Sequence, residues 1–400
     1  MNRLFALIGA TLVAAGCADR GVVDVATPQT DPLSVNLVGD AGGAGLTVMT
    51  WNVYYGTDPT PVLAVDPTVD LSAFLDSTTA VWQRAIDTNF PERAHALARA
   101  IAANRPELVG VQEAALYRKD PSDFLSTFVP NAQTVYYDFL KLLTDALKAR
   151  GLNYVVVAAD STSDLEVPVR GESGALEDVR LTDRDAVLVR ADLVNDIVAT
   201  AHGTYAAGIP IPLGAISEGW SLVDVKVRGQ TYRFVSTHLE VQDFPNVGDF
   251  VQLAQAGELL GTVVADRTLP TIVVGDFNSD AHSTDPSKTR SYQLMTGSGP
   301  EEGGFIDSWL RPFWTPPGLT CCQSDDLKNR FSTFDQRIDF IFTRNMPQVG
   351  HVGTLVLGRK VVGDDRGDRT RSGLWPSDHG GVVATFLTPP SRPHWAEVTE

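Results

Sequence analysis

The stretch TIVVGDFNS, Thr271 to Ser279, runs four β-branched residues into a glycine and then presents an aspartate and an asparagine two positions apart. β-Branched runs of this length favour an extended, buried strand. Gly275 lets the backbone turn where that strand ends. Asp276 and Asn278 are therefore expected at a strand exit, with both side chains free to point into one pocket. Taken alone, Asp-Phe-Asn-Ser reads equally well as a polar turn, and the rest of the chain decides between the two.

Three further segments repeat the pattern. Leu46 to Met49 runs into Thr50-Trp51-Asn52-Val53, Leu108-Val109-Gly110-Val111 runs into Gln112-Glu113, and Ser377-Asp378-His379 precedes the apolar run Val382 to Phe386. Together the exits supply Asn52, Glu113, Asp276, Asn278, Asp378 and His379. This set of oxygen ligands with a histidine suits a hard divalent cation beside an activated water. Val235-Ser236-Thr237-His238-Leu239-Glu240 ends another apolar run in a histidine, and Arg337 to Phe342 buries Asp339 inside an alternating strand.

The order T-W-N-V, Q-E, S-T-H-L-E, G-D-F-N-S, R-I-D-F-I-F, S-D-H resembles the endonuclease/exonuclease/phosphatase superfamily, from about Leu46 to Leu387. That superfamily includes DNase I-like nucleases, abasic-site endonucleases, inositol polyphosphate 5-phosphatases and neutral sphingomyelinases. The resemblance implies a DNase I-like four-layer α/β sandwich: two facing mixed, mainly antiparallel sheets with helices outside and the site at one end. It implies Mg²⁺ or Mn²⁺ at Glu113, with Asn52 and Asp378 assisting. It casts His379 as the group that orients or activates water, with Asp339 on its other ring nitrogen. His238 and Asn278 become phosphate contacts, and Asp276 orients an oxygen or helps protonate it. Arg184-Asp185, ahead of Ala186 to Arg190, matches the family's polar strand entry, so Asp185, or after it Asp183, is expected near His238.

The implied activity is metal-dependent hydrolysis of a phosphodiester in nucleic acid or a phospholipid headgroup by in-line attack of water. A phosphomonoesterase acting on inositol phosphates is the alternative. A non-catalytic binding or adhesion lipoprotein on the same fold would be marked by missing ligands, and the principal ones are all present. The motifs do not separate the substrates. A net charge of −17 weighs against tight, non-specific binding to a polyanion, because such binding rests on Lys and Arg contacts to phosphate. No protein partner is evident.

Of 400 residues, 43% are hydrophobic and 20% charged, as in ordinary globular proteins. The motifs span Asn52 to His379, so one large domain, residues 46–388, has to bring both ends together. Residues 1–17 read as a lipoprotein leader: Asn2-Arg3, a short apolar run from Leu4 to Ala15, then Ala14-Ala15-Gly16-Cys17, which resembles a bacterial lipobox with Cys17 as the acylated residue. Residues 18–45 read as a flexible tether and 389–400 as a tail. The expected location is the cell envelope, lipid-anchored at the outer membrane, with a secreted or periplasmic protein as the alternative. No other segment is long and apolar enough to span a bilayer. Adjacent Cys321 and Cys322 are the only other cysteines. A vicinal disulfide stiffening a loop and two independently packed thiols both fit them, and no redox function is expected.

Helices are expected over Pro91–Asn104, Val135–Ala149 and Gly248–Ala265, and a hairpin across Arg228-Gly229. Tyr55 to Asn89, with Pro59, Pro61 and Pro67, reads as an insertion over the site.

Overall fold

The computed structural model describes residues 45–211, 214–244, 247–310, 315–347 and 356–388. The leader with Cys17, residues 18–44 of the tether, Pro312 and the tail 389–400 lie outside the described residues.

In chain order, the elements that matter for the site are β1 (Gly45–Asn52), α1 (Leu71–Asp87), α2 (Phe90–Asn104), β2 (Leu108–Gln112), α3 (Phe139–Lys148), β3 (Tyr154–Ala159), β4 (Ala186–Arg190), β5 (Ile197–Thr204), β6 (Gly219–Val227), β7 (Gln230–His238), α4 (Gly248–Glu258), β8 (Thr271–Asp276), β9 (Ile306–Asp307), β10 (Asp339–Arg344), β11 (Val356–Val362) and β12 (Gly381–Leu387). One six-stranded sheet runs β11-β12-β1-β2-β4-β3 and the other β9-β10-β8-β7-β6-β5. Only β1–β2 and β7–β8 pair in parallel within these two sheets; the other neighbours are antiparallel.

Alternation along each strand gives each sheet two apolar faces. The inner faces meet through Leu46, Val48, Leu108 and Val187 on one side and Val223, Phe234, Ile272 and Val274 on the other. The outer face of the first sheet packs Trp51, Val109 and Val111 against α2 and α3 through Phe90, Leu97, Ile101 and Leu143. The outer face of the second packs Val235, Val273 and Phe340 against Ala256 of α4 and the Leu259–Val263 turn. The result is helix, sheet, sheet, helix: the four-layer, DNase I-like sandwich. Burying each such aliphatic or aromatic side chain stabilises the fold by about 1.5–3 kcal/mol.

Close approach fixes how the layers meet beneath the site. A Cβ on Gly110 would lie 2.6 Å from Val274 Cγ2 and 2.9 Å from Ser236 Oγ. Beside it, Gln112 Nε2 donates to Ser236 Oγ at 2.8 Å and Thr50 Oγ1 donates to Gln112 Oε1 at 3.2 Å. The Gln112–Ser236 bond joins the two sheets one residue short of Glu113, and Thr50 holds Gln112 from the neighbouring strand of the same sheet.

Three sequence expectations change. The segment 55–89 holds the 17-residue helix α1, begun by Asp70, whose side chain accepts from Ala73 N. Its Thr78 Oγ1 donates to Pro168 O at 2.6 Å, docking α1 on a four-stranded flanking sheet. The expected helix from Val135 starts only at Phe139, because Asp138 caps it and Val135–Asp138 pairs as a strand with Leu116–Pro121; β-branched and aromatic residues favour that choice. The helix expected over 248–265 is regular only to Glu258 and continues as a wider π turn, Leu259–Val263. Among the described residues no helix is long and apolar enough to cross a membrane.

Candidate active site

Parallel pairing sets Asn52 beside Gln112 at the ends of β1 and β2, so Asn52 and Glu113 leave the first sheet together. Asn52 Nδ2 donates to Glu113 Oε1 at 2.8 Å and to Asp276 Oδ2 at 3.1 Å, while its Oδ1 accepts from Tyr54 N at 3.0 Å. Glu113 Oε2 accepts from Tyr55 N at 2.9 Å. Glu113 itself sits at φ 56°, a left-handed conformation for a non-glycine residue. Such strain costs of order 1–3 kcal/mol and persists where surrounding contacts impose it.

The second sheet delivers the rest. Gly275 has φ 148°, and a Cβ there would lie 1.8 Å from Thr237 O, so β7 and β8 can run together only with glycine at this point. In their register His238 is level with Asp276, and Asp276 is level with Asp339 of β10. Asp276 Oδ1 accepts from Asn278 N at 2.9 Å. Asn278 Nδ2 donates to Leu239 O at 2.8 Å and lies 3.2 Å from His238 Nε2. His379 Nδ1 stands 3.0 Å from Asp339 Oδ2 and 3.6 Å from Asp276 Oδ2; His238 Nε2 is also 3.6 Å from Asp276 Oδ2.

The loop carrying Asp378 and His379 is tied to both sheets. Ser377 Oγ donates to Asn52 O at 2.7 Å, and Trp51 Nε1 donates to His379 O at 2.8 Å. Thr320 Oγ1 accepts from Asp339 N at 3.2 Å, Gly380 N donates to Thr320 O at 2.7 Å, and Gln323 N donates to Asp378 O at 2.9 Å. Cys321 and Cys322 form a disulfide in this segment, and Cys321 Sγ lies 3.7 Å from His379 Nε2.

Arg93 is fully buried, and its recorded donors all go to carbonyls: Nε to Thr88 O at 2.9 Å, Nη1 to Val53 O at 2.7 Å and Pro376 O at 3.0 Å, and Nη2 to Tyr54 O at 3.0 Å. One guanidinium thus clamps the segments that follow Asn52 and precede Asp378. The planar fork of donors suits this work.

The electrostatics are those of a site short of positive charge. Burial, followed by the nearby Asp378, pushes the Glu113 carboxyl up to about 8; His379, Asn52 and the Tyr55 amide pull the other way. Burial raises Asp378, and burial with Asp339 raises Asp276. Burial alone would lower His379, but Asp339, Asp276 and Asp378 outweigh it and hold the imidazole well above its usual range. Glu113 and Asp378 are only partly buried, whereas Asn52, Asp276, Asp339 and His379 are buried. Two partly exposed carboxylates, one of them raised by the other's charge, fit a divalent cation bound at the mouth, with Asn52 orienting Glu113.

Asn52, Glu113, Asp276, Asn278, Asp339, His238, Asp378 and His379 therefore come together at one end of the sandwich. Of the two acids expected near His238, it is Asp183 that groups with it: ligand atoms of Asp183, Glu218 and His238 lie within 4.8 Å of one another, while the Asp185 amide donates to Asp160 Oδ1 at 2.6 Å. Glu218 comes to this group because it enters β6, the strand paired with β7. Glu218 has no sequence signal of its own. Arg93 had one: it occupies the same apolar stripe of α2 as Phe90, Leu97 and Ile101, where a charge needs a reason.

A family model described as the Endonuclease/Exonuclease/phosphatase family matches residues 49–379. No curated protein matches the chain. Among solved structures, an endonuclease/exonuclease/phosphatase family protein from Leptotrichia buccalis is similar at 15% identity, covering 85% of this chain and 99% of that one, with a TM-score of 0.49. A mannosyl-6-phosphatase from Bacteroides thetaiotaomicron is similar at 18% identity, covering 86% and 99%, with a TM-score of 0.48. D. rerio TDP2 complexed with a single-strand DNA product is similar at 16% identity, covering 86% and 100%, with a TM-score of 0.46. None of these likenesses bears on the substrate.

Proposed function

The chain belongs to the endonuclease/exonuclease/phosphatase family, and from that premise we infer that it is a metal-dependent phosphoesterase acting on a phosphodiester. The observation that carries the reading is the shared oxygen Asp276 Oδ2, which gathers Asn52 at 3.1 Å and both His379 and His238 at 3.6 Å. Glu113, oriented by Asn52 and with Asp378 beside it, would hold Mg²⁺ or Mn²⁺, and the bound ion supplies Lewis-acid polarisation of a phosphoryl oxygen.

The chain's own residues do the rest. Asp339 holds His379 Nδ1, so Nε2 is the nitrogen left to take a proton from water. A water activated there attacks phosphorus in line with the leaving oxygen. Asn278 Nδ2 and His238 Nε2 converge on one side of Asp276, where they orient the phosphoryl oxygens. Asp276, raised by burial and by Asp339, is suited to return a proton to the leaving oxygen. No covalent intermediate with the protein is needed.

A cavity of about 680 Å³ opens at Asn278; Leu63, Ala64, Val241 and Phe244 line it together with the polar Thr60, Gln242, Asp243, Asp280, Lys288 and Gln336. The apolar side chains there and the net charge of −17 favour a phospholipid headgroup over nucleic acid as the source of the diester. Acylation at Cys17, with anchoring to the outer membrane, would bring the enzyme to such a substrate; the leader sequence supports that placement. The test is a hydrolysis screen over sphingomyelin, glycerophospholipids, duplex DNA, RNA and inositol phosphates, each with Mg²⁺, with Mn²⁺ and with EDTA. Turnover of a diester phospholipid is the expected result. Turnover of monoesters alone overturns the diester assignment.

A further inference from the structure

Behind His238, on the side away from Asp276, lies a second group of acids that the proposed reaction does not use. Asp160, Asp183, Asp185, Glu218 and Glu240 are all buried. Their mutual charges raise Glu218 and Asp185 after burial has done so. Asp183 Oδ1, Asp160 Oδ2, Glu218 Oε2, Glu240 Oε2 and both oxygens of Asp185 have no hydrogen-bond partner. Arg184, in their midst by sequence, donates instead to Ala114 O, Ala115 O and Asp138 Oδ1. Asp160, Asp183 and Glu240 each accept a bond on the other oxygen, from Asp185 N, Thr162 Oγ1 and Val241 N; buried carboxylate oxygens left without a donor or counter-charge are costly.

A histidine points into this group. His238 is 5% exposed, and its Nδ1, also unpartnered, stands 3.2 Å from Glu218 Oε2 without hydrogen-bond alignment. Ligand atoms of Asp183, Glu218 and His238 all lie within 4.8 Å of one another. Two donor atoms held at right angles about 2.1 Å from one ion are about 3 Å apart. The spacing of Nδ1 and Oε2 is of that size.

We propose that Asp183, Glu218 and His238 Nδ1 bind a divalent cation of the Zn²⁺ and Mn²⁺ class, distinct from the ion at Glu113. One imidazole and two carboxylates suit such ions better than the all-oxygen sets favoured by Mg²⁺ and Ca²⁺. Three protein ligands leave a position for water. The site also bears on the role given to His238, and this part rests on the proposed function. An ion on Nδ1 leaves the ring proton on Nε2, the nitrogen 3.6 Å from Asp276 Oδ2 that faces the phosphate position. Asn278 Nδ2 then keeps Leu239 O as its acceptor.

The test counts bound ions rather than turnover. Wild type, Glu113→Gln, Glu218→Gln and the double variant are dialysed against Zn²⁺ alone or Mn²⁺ alone, and bound metal per chain is measured by elemental analysis, with circular dichroism to confirm folding. Glu218→Gln is expected to remove one ion from both the wild-type and the Glu113→Gln backgrounds. An unchanged count in both overturns the proposal. If instead Glu113→Gln changes nothing while Glu218→Gln removes an ion, this site stands and the assignment at Glu113 falls. Should Glu218→Gln fail to fold, Zn²⁺ titration of ¹⁵N-histidine-labelled Glu113→Gln protein gives the same decision. The His238 Nδ1 resonance is expected to shift and saturate at one equivalent, and a resonance that does not move overturns the proposal.

Discussion

Asp276 and Asp339 stand level on neighbouring antiparallel strands, and their Oδ2 atoms approach the same nitrogen, His379 Nδ1, at 3.6 and 3.0 Å. Two carboxylates side by side repel; a shared imidazole relieves them, and they make it a stronger base. The basicity of His379 therefore owes most to the β8–β10 register, with Asp378 of its own loop adding to it.

Asp339→Asn removes the larger of the charges that raise His379. We expect kcat to fall by about 10²–10⁴-fold. The acid limb of the kcat/KM profile, which reports loss of the proton from His379, moves to lower pH. Asp339→Asn with His379→Ala should lose much less than the product of the single losses, since the pair acts as a unit. pH–rate profiles at fixed metal concentration check both points; an acid limb that stays in place breaks the link.

The same pair makes metal-free stability depend on pH. The folded pKa of His379 lies above its unfolded value, so its contribution is full below about 6.5 and is lost as pH rises through the folded pKa. Thermal melts of EDTA-treated protein should show the wild-type advantage over His379→Gln shrinking as pH rises. An advantage that grows with pH contradicts the assignment.

Arg93→Lys keeps the charge but cannot reach four carbonyls on three segments. Each buried acceptor left bare costs about 1–3 kcal/mol. We expect roughly 2–4 kcal/mol of destabilisation in urea together with reduced kcat, because both loops bearing Asn52 and Asp378 loosen. Wild-type activity in a destabilised variant rules out the clamp as a positioning device.

Much of this was legible in the chain. The strand exits at Asn52, Glu113 and Asp276 announce themselves because a β-branched run ending in a polar residue has few other uses, and Ser377-Asp378-His379 stands at the entry to the apolar run of β12. The buried partner of His379 was legible too, since Asp339 interrupts an alternating strand. Asp183 was legible as the second choice beside His238, after Asp185; Glu218 was not legible as a partner, because its meeting with His238 depends on which strand neighbours β7, and no local pattern encodes sheet order. The helix α1 was hidden by the prolines before it and by a polar face that resembles a loop.

Cys17→Ser is expected to move the protein from the detergent phase to the aqueous phase with activity retained, because the candidate site begins only at Asn52. Stable anchoring needs more than one acyl chain. Phase partitioning with mass analysis of the mature N-terminus decides the matter, and an unmodified N-terminus at any other residue reduces the leader to an ordinary signal peptide.

The most direct measurement of the central claim is hydrolysis of bis-p-nitrophenyl phosphate by wild type and Glu113→Gln, stripped with EDTA and titrated with Mg²⁺ or Mn²⁺. The account predicts that chelation abolishes wild-type turnover, that either ion restores it, and that Glu113→Gln is not rescued over the same concentrations. Full wild-type activity in excess EDTA, with no metal retained on elemental analysis, would contradict it.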